Sequence, residues 1–291
     1  MKVSVIIPTK GRAAPLGRLL GTISQQTCPP VEVIIVDQTP APAQVSEVRP
    51  ALGACGDRLV YIHDPAVSGV AQARNRGMAL AAGDIWLFLD DDVALEPDFI
   101  EAILRAYQEH PDASGISGVI TNYRAPGLGF RLYHRIAELG PFWDDRQPVY
   151  WKAERLGQAV SVSRFSGGVM SVRRTPVRCD ENLTGISPSE DVDFSLQVAR
   201  TGTLFIEPRA RAFHHQVAGS RGHWLGGASQ AAWYLYFKHW RRSPGATLAF
   251  AWLNVAYLTG ALAGSVRRQS FAPLRAFLQG AKAGYELGSR G

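Results

Sequence analysis

Short apolar runs alternate with segments of helical periodicity over the first 110 residues, and this alternation limits the folds open to the chain. Runs rich in β-branched or aromatic residues predict buried strands at residues 3–7, 31–36, 59–62 and 85–89. The segments between them predict helices over residues 13–26 and 72–82, a short helix within 43–54, and a helix that begins at Pro97 and reaches about Tyr107. This order predicts an α/β fold with a mostly parallel sheet flanked by helices.

Polar groups follow three of these strands directly. Residues 9–12 follow the first strand, Asp37 ends the second, and Asp90-Asp91-Asp92 follow the fourth. Since parallel sheets bind ligands beyond the carboxyl ends of their strands, these groups are the candidate ligand site. No G-x-G-x-x-G follows the first strand and no G-x-x-x-x-G-K-[ST] occurs, which argues against a dinucleotide fingerprint and a P-loop.

The acidic triplet is the most specific of these groups. Three adjacent carboxylates repel one another, and a divalent cation compensates them naturally, because hard carboxylate oxygens suit Mg²⁺ or Mn²⁺. Side chains alternate along an extended chain, so Asp90 and Asp92 are expected on one side and Asp91 on the other. A solvated turn is the alternative, but the apolar run before the triplet places it at the edge of a buried sheet.

A second acidic cluster, Glu190-Asp191-Val192-Asp193, stands at the start of a predicted helix. Ser189 is suited to cap that helix, and Gly202 to terminate it. Carboxylates in a first turn complement the helix dipole, so this cluster has a purely structural interpretation beside a catalytic one.

The ordered set of motifs resembles the family 2 glycosyltransferases, which have the GT-A fold of nucleotide-diphospho-sugar transferases, and within them the rhamnosyltransferase-like members. The similarity runs from residue 3 to about residue 214. The matching segments are 3–9 (VSVIIPT), 33–37 (VIIVD), 73–77 (ARNRG), 83–92 (GDIWLFLDDD), 167–174 (GGVMSVRR), 180–183 (DENL), 190–194 (EDVDF) and 208–214 (PRARAFH).

The resemblance implies a nucleotide-diphospho-sugar as donor, with UDP or dTDP types favoured, and Mg²⁺ or Mn²⁺ as cofactor. Asp191 would be the general base, and Asp92 and His214 would bind the metal, with the adjacent His215 as the competing histidine. The donor nucleotide would contact Pro8, Thr9, Arg12, Asp37, Arg74, Asp90 and Asp91. The acceptor and sugar pocket would include Gly167, Gly168, Glu190 and Trp143.

The chemistry that follows is an inverting transfer. One base and no evident nucleophile imply a single displacement, in which the metal stabilises the departing diphosphate. Members of this family that build long polymers usually carry Q-x-x-R-W, which does not occur here. The resemblance therefore implies that one sugar is added to a glycan or polyprenyl-linked acceptor of the cell envelope. The alternatives are a sugar-nucleotide pyrophosphorylase, for which the loop at residues 8–12 is too short, and a non-catalytic nucleotide- or glycan-binding relic of the fold.

The basic charge belongs to the C-terminal part of the chain. The formal net charge is +6, yet residues 221–291 hold nine Lys or Arg and one acidic residue, so the rest is slightly acidic. Residues 243–266 contain no charged residue, and Arg pairs flank them at 241–242 and 267–268. About 20 apolar residues span a bilayer. Three interpretations stay open: a helix lying on a membrane surface, a helix packed on the catalytic domain or in a homodimer, and a spanning helix.

The expected domains are a catalytic domain over residues 1–220 and a basic, apolar helical tail over residues 221–291. Residues 1–120 would form the nucleotide-binding half of the catalytic domain and residues 121–220 its acceptor half.

Three cysteines without a C-x-x-C predict neither a zinc cage nor a disulfide framework. The run after Lys2 is too short for a signal peptide, and no basic repeat with a stacking motif suggests nucleic acid. A cytoplasmic protein, peripheral at the inner face of the cell membrane, is expected.

Overall fold

The computed structural model describes residues 1–40, 48–122, 127–133, 135–136, 140–141, 157–165, 167–183, 189–215 and 224–290. The chain divides into two compact units. The first consists of Met1–Tyr123, Pro148–Ile186 and Glu190–Gln216. The second consists of Arg124–Gln147, Ser187–Ser189 and Val217–Gly291.

The first unit begins with a parallel sheet in the order β3-β2-β1-β4. Its strands are β1 (Val3–Thr9), β2 (Glu32–Asp37), β3 (Leu59–His63) and β4 (Ile85–Leu89). The connections are α1 (Ala13–Ser24), 3₁₀ turns over Arg49–Arg58, and α2 (Val70–Leu80). All four strands predicted from the apolar runs are therefore present. Of the short helix predicted within 43–54, residues 41–47 lie outside the described residues, and 3₁₀ turns follow them.

Beyond β4 the sheet becomes mixed. The further elements are β5 (Val93–Leu95), α3 (Phe99–Glu109), β6 (Ala113–Ile120), β7 (Val160–Val162), β8 (Val169–Arg173), α5 (Glu190–Val198) and β9 (Thr203–His214). β8 pairs antiparallel with β4 and β6, and β5 and β7 pair antiparallel with β9. The sequence pattern did not indicate these strands, because β6 is rich in Gly and Ser and β9 carries charged residues and a proline.

The core of the first unit lies on both faces of this sheet. Alternate side chains of β1 enter opposite clusters: Val5 and Ile7 pack with residues of α1 and α3, whereas Ile6 packs with residues of α2 and α5. α2 approaches β1 closely at Gly77, where an added Cβ would lie 2.5 Å from a methyl of Ile6. The absence of a side chain at Gly77 thus allows α2 to pack close to β1.

The second unit is helical where it is described. It contains α4 (Leu128–Tyr133), α6 (Trp224–Leu235) with a π-helical turn over Tyr236–Trp240, α7 (Pro244–Arg268) and α8 (Ala272–Gly288). Ser243 caps α7 through a bond from the amide of Ala246, and α7 ends at Gln269 in the left-handed conformation. Within the described residues, α7 is the one helix whose length and composition would suffice to cross a membrane.

Candidate functional site

The loop after β1 is fastened to the acidic triplet after β4. The hydroxyl of Thr9 donates a 2.7 Å hydrogen bond to Asp91 Oδ2. The guanidinium of Arg12 spans two carboxylates, with Nη1 2.7 Å from Asp91 Oδ1 and Nη2 2.7 Å from Asp92 Oδ2. Gly11, at φ +65°, provides the left-handed turn before Arg12. Two segments about 80 residues apart thus meet at one sheet edge.

The triplet divides between two groups of side chains, although Asp91 and Asp92 lie in a turn in which the amide of Val93 donates to the carbonyl of Asp90. Asp90 and Asp92 lie with His214, and one ligand atom of each falls within 4.8 Å of the others. Asp91 instead faces Thr9 and Arg12. Asp90 was expected among the nucleotide contacts, but it lies with the two residues expected to bind the metal.

His214, rather than His215, faces the acidic cluster. Its Nε2 lies 2.8 Å from Asp92 Oδ1, and β9 places it opposite Val93 of β5. The backbone amide of His215 donates to the carbonyl of Asp92 at 2.8 Å, while its ring packs against Phe213. Neighbouring strand residues point to opposite faces, so β9 offers one histidine to the site.

Burial and pairing act in opposite directions on these carboxylates. Burial raises the pKa of Asp91 to about 6, although Thr9 and Arg12 oppose this rise. Burial also works to raise the pKa of Asp92, but hydrogen bonds from His214 and Arg12 outweigh it and hold that pKa at about 2. Burial raises the pKa of Asp90 against the pull of Arg74. Burial thus disfavours the ionised forms of Asp90 and Asp91, whereas pairing with His214 and Arg12 favours that of Asp92.

Arg74 is a buried cation with unused donors. Its side chain is 2% exposed, Nη2 lies 3.5 Å from Asp90 Oδ1, and Nη1 lies 3.6 Å from Glu190 Oε1. Nε and Nη1 have no hydrogen-bond partner within the described part of the chain. Because buried guanidinium groups ordinarily use their N–H donors, this arrangement leaves donors available to a ligand beside Asp90.

A pair of glycines connects the two acidic clusters. The amide of Gly167 donates to Asp191 Oδ2, and the amide of Asp90 donates to the carbonyl of Gly168 at 3.1 Å. An added Cβ at Gly167 would lie 2.9 Å from Asp191 Oδ2, and Gly168 has φ +103°. Both positions thus favour glycine, and they hold Asp191 and Asp90 near one turn.

Glu190 and Asp191 occupy the first turn of α5. The second oxygen of Asp191, Oδ1, accepts a 2.8 Å bond from the amide of Val192, so backbone donors orient both its oxygens. Burial and the neighbouring Asp191 raise the pKa of Glu190 to about 7, although Arg74 opposes them. The N-terminal turn thus carries a fixed carboxylate beside a second acid that titrates near neutrality.

Asp37 lies in a separate hydrogen-bonded group. Its Oδ1 accepts from the amide of Thr39 at 2.8 Å, and its Oδ2 accepts from the hydroxyl of Tyr61 at 2.5 Å. The Thr39 hydroxyl in turn accepts from the amide of Gly11 at 2.7 Å, which links β2 to the loop that bears Arg12. Sequence reasoning missed Thr39 and Tyr61. No sequence pattern indicates the tyrosine, because the register that pairs Ile35 with Tyr61 is set by tertiary packing.

Pro8 and Trp143 were also expected in the site. Pro8 is buried within β1 opposite Val36, and its side chain appears in none of the polar contacts just described. Trp143, expected in the acceptor pocket, lies outside the described residues.

Comparison with known proteins shows the family. The model of "Glycosyl transferase family 2" matches residues 4–179, which is more than half of the chain. The chain belongs to this family. Its fold is also found in a solved structure, "Mannosyltransferase PcManGT from Pyrobaculum calidifontis in complex with GDP-Man and Mn2+", with a TM-score of 0.60 at 17% identity over 99% of this chain and 87% of that one. At that identity the likeness shows the GT-A fold alone.

Two curated relatives are similar over shorter stretches. "Glucosyl-dolichyl phosphate glucuronosyltransferase" of Haloferax volcanii is 31% identical over 123 residues, which are 41% of this chain and 38% of the relative. "PGL/p-HBAD biosynthesis glycosyltransferase" of Mycobacterium tuberculosis is 34% identical over 129 residues, 43% of this chain and 50% of the relative. The matches thus span half or less of these relatives' lengths.

The side chains near the triplet fit a divalent cation. Two carboxylates and one imidazole converge in Asp90, Asp92 and His214, and oxygen ligands with an imidazole are a donor set that divalent metals accept. Burial disfavours the ionised form of Asp90, and a cation bound there would offset that cost.

Proposed function

We propose that this chain transfers one sugar from a nucleotide-diphospho-sugar to a hydroxyl of a glycan or lipid-linked acceptor, with inversion at the anomeric carbon. The observation that carries the proposal is the pairing of two acidic clusters through the glycine turn. Asp90, Asp92 and His214 would bind Mg²⁺ or Mn²⁺ on one side, and Asp191 would act as the base on the other.

The first cluster suits a departing diphosphate. A bound divalent cation would supply positive charge to the leaving nucleoside diphosphate. Arg12 lies beside Asp91 and Asp92, and Arg74 lies beside Asp90. Both would donate hydrogen bonds to phosphate oxygens, for which Nε and Nη1 of Arg74, which have no hydrogen-bond partner among the described residues, are suited. Thr9, Asp37 and Asp91 would position the nucleoside and the loop that carries Arg12.

The second cluster suits proton removal. The acceptor oxygen forms its bond to the anomeric carbon as the bond from that carbon to the phosphate oxygen breaks, and the hydroxyl proton passes to Asp191. Amides of Gly167 and Val192 hold this carboxylate in place, so its orientation does not depend on the acceptor. A base positioned in this way contributes about 10²–10⁴-fold to the rate. Glu190, Gly167 and Gly168 would then line the sugar pocket.

The acceptor and donor classes rest on the relatives. The two curated relatives are named for a dolichyl phosphate sugar and for PGL/p-HBAD biosynthesis, which supports a cell-envelope or polyprenyl-linked acceptor for this chain. UDP and dTDP sugars are our favoured donors, and the GDP-Man of the solved neighbour adds a third type to test. A cytoplasmic catalytic domain over residues 1–220, working at the inner face of the cell membrane, agrees with these classes.

A thermal-shift screen tests the donor and the cation together. UDP-, dTDP- and GDP-sugars are each added to the full chain with and without Mn²⁺. We expect one donor class to raise the melting temperature only when Mn²⁺ is present, because binding to the native state alone stabilises it. If no nucleotide-sugar shifts the melting temperature, the proposed donor site is wrong.

The variant Asp191→Asn tests the base. With the donor found in the screen, we expect kcat for transfer to fall by about 10²–10⁴-fold while the donor-induced thermal shift is retained. Asp57→Asn, an exposed substitution of the same kind, is the control and should leave kcat unchanged. Wild-type kcat in Asp191→Asn would exclude this residue as the base. Release of a nucleoside triphosphate on addition of pyrophosphate would instead support the pyrophosphorylase alternative.

A further inference from the structure

The outer side of α7 carries apolar side chains exposed to solvent. Their exposed fractions range from 38% at Leu258 to 80% at Val266. The residues of this outer face are Leu248, Val255, Leu258, Leu262 and Val266. At 100° per residue they fall within about 80° of one side of the helix, so they form one continuous strip. From Pro244 to Val266 no residue of α7 is charged. Neither side of this part of the helix therefore has the charged side chains that are typical of a solvent-exposed helix face.

The opposite side of α7 is already used. Ala249, Leu253 and Ala256 are buried. The indole of Trp233 in α6 donates a 2.7 Å hydrogen bond to Asn254, and the rings of Tyr236 and Phe250 stack with centroids 4.0 Å apart. These contacts hold α7 against α6. A partner of α7 would therefore have to bind to the outer face.

Arginines stand at both ends of this strip. Arg241 and Arg242 precede α7, and Arg267 and Arg268 form its last turn. All four are exposed, and none forms an ion pair with a described residue. An apolar strip between two pairs of exposed arginines matches a bilayer surface with anionic headgroups, because apolar side chains can enter the acyl boundary while guanidinium groups reach phosphates.

We propose that α7 lies in the plane of an anionic membrane, with its outer face inserted and its terminal arginines on the headgroups. A spanning arrangement is disfavoured, because α6 and α8 are packed on the inner side of α7 and would enter the bilayer with it. α8 exposes Arg275, Lys282 and Glu286, and the turn after α6 bears Lys238. Charged side chains at the bilayer centre are costly. The proposal concerns the helical unit and does not depend on the proposed transferase activity.

Vesicle co-sedimentation of the full chain tests the insertion. We expect binding to phosphatidylcholine vesicles that contain phosphatidylglycerol, and much less to phosphatidylcholine alone. The double variant Val255→Glu/Leu262→Glu should lose roughly tenfold or more in binding, since two inserted apolar side chains become charged. Leu80→Glu, an exposed apolar residue of α2, is the matched control and should bind as wild type. Equal binding by the double variant would overturn the proposal.

The arginines provide a second measurement that leaves the apolar strip intact. Arg267→Gln/Arg268→Gln should bind anionic vesicles more weakly than Arg18→Gln/Arg174→Gln, which removes the same charge from exposed sites of the first unit. Binding should also weaken with added salt. If the two double variants bind equally, the arginines do not contact headgroups and the proposed orientation is wrong.

Two further results would show that the outer face of α7 contacts something other than a membrane surface. Resistance of the membrane-bound chain to carbonate extraction would show that α7 spans the bilayer. A lipid-free dimer by light scattering that Val255→Glu/Leu262→Glu converts to a monomer would show that a second copy covers the strip. Either result overturns in-plane membrane docking, whereas carbonate release of a monomeric chain supports it.

Discussion

The first unit buries charged side chains, whereas the second exposes apolar ones. Arg74 and Asp91 are 1% and 5% exposed, while Leu248 and Val255 on α7 are each 61% exposed. Buried charge costs desolvation free energy, and exposed apolar strips cost hydration free energy. A ligand would offset each of these free-energy costs. In the first unit it would be a cation with a diphosphate, and in the second unit a lipid surface.

Substitution of the buried arginine should produce the largest change in stability. Arg74→Met removes the buried cation beside Asp90 and Glu190 and leaves these two partly buried acids without it. We expect the free energy of unfolding at pH 7.5 to fall by about 3 kcal/mol, measured by urea denaturation. Arg76→Met, on the exposed side of the same helix, is the control. An unchanged unfolding midpoint would mean that the buried pairs contribute nothing net.

Glu190 should make stability depend on pH. Its folded pKa of about 7 lies above its ordinary 4.5, so the native state binds the proton more tightly than the unfolded state. The stabilisation is therefore complete below about pH 4.5 and is lost as the pH rises through 7. We expect the stability of Glu190→Gln relative to wild type to rise by roughly 2 kcal/mol between pH 5 and pH 8. A constant difference across that range would contradict the raised pKa.

Arg12 should compete with the cation. Its guanidinium occupies Asp92 Oδ2 at 2.7 Å, yet its side chain is 36% exposed, so its contribution to stability is small. Arg12→Gln should lower the metal-free free energy of unfolding by less than about 1 kcal/mol and tighten Mn²⁺ binding severalfold. Titration calorimetry with Mn²⁺ alone measures the second effect, with Arg18→Gln as control. Weaker Mn²⁺ binding would show that Arg12 supports the cation instead.

Substitutions on the outer face of α7 should have little effect on the free energy of unfolding when no lipid is present. Because Val255 and Leu262 are exposed, Val255→Glu/Leu262→Glu should change the free energy of unfolding without lipid by no more than about 0.5 kcal/mol. Thermal denaturation of the lipid-free chain measures this change. A large loss of stability would mean that these side chains pack within the fold, and the contrast between the two units would disappear.

Sequence periodicity was sufficient for the parallel part of the fold. Residues 3–7 and 85–89 are apolar runs whose strand character depends on their own side chains, and both form strands as predicted. Asp90 and Asp92 lie together, as expected, but they do so through a turn and not through the alternation of an extended strand. The ordered motifs also sufficed to name the family, which the match over residues 4–179 confirms.

The tertiary structure decided what distant segments do to one another. Antiparallel β8 brings Gly168 to Asp90, and β9 brings His214, 122 residues away, to Asp92. No local pattern determines which of two adjacent histidines faces that carboxylate, or that Tyr61 meets Asp37. The exposed side of α7 is also decided by long-range packing. The sequence shows that α7 is apolar, but which side faces solvent depends on where α6 and α8 pack. Periodicity sets what each segment becomes, and long-range packing sets which side chains meet.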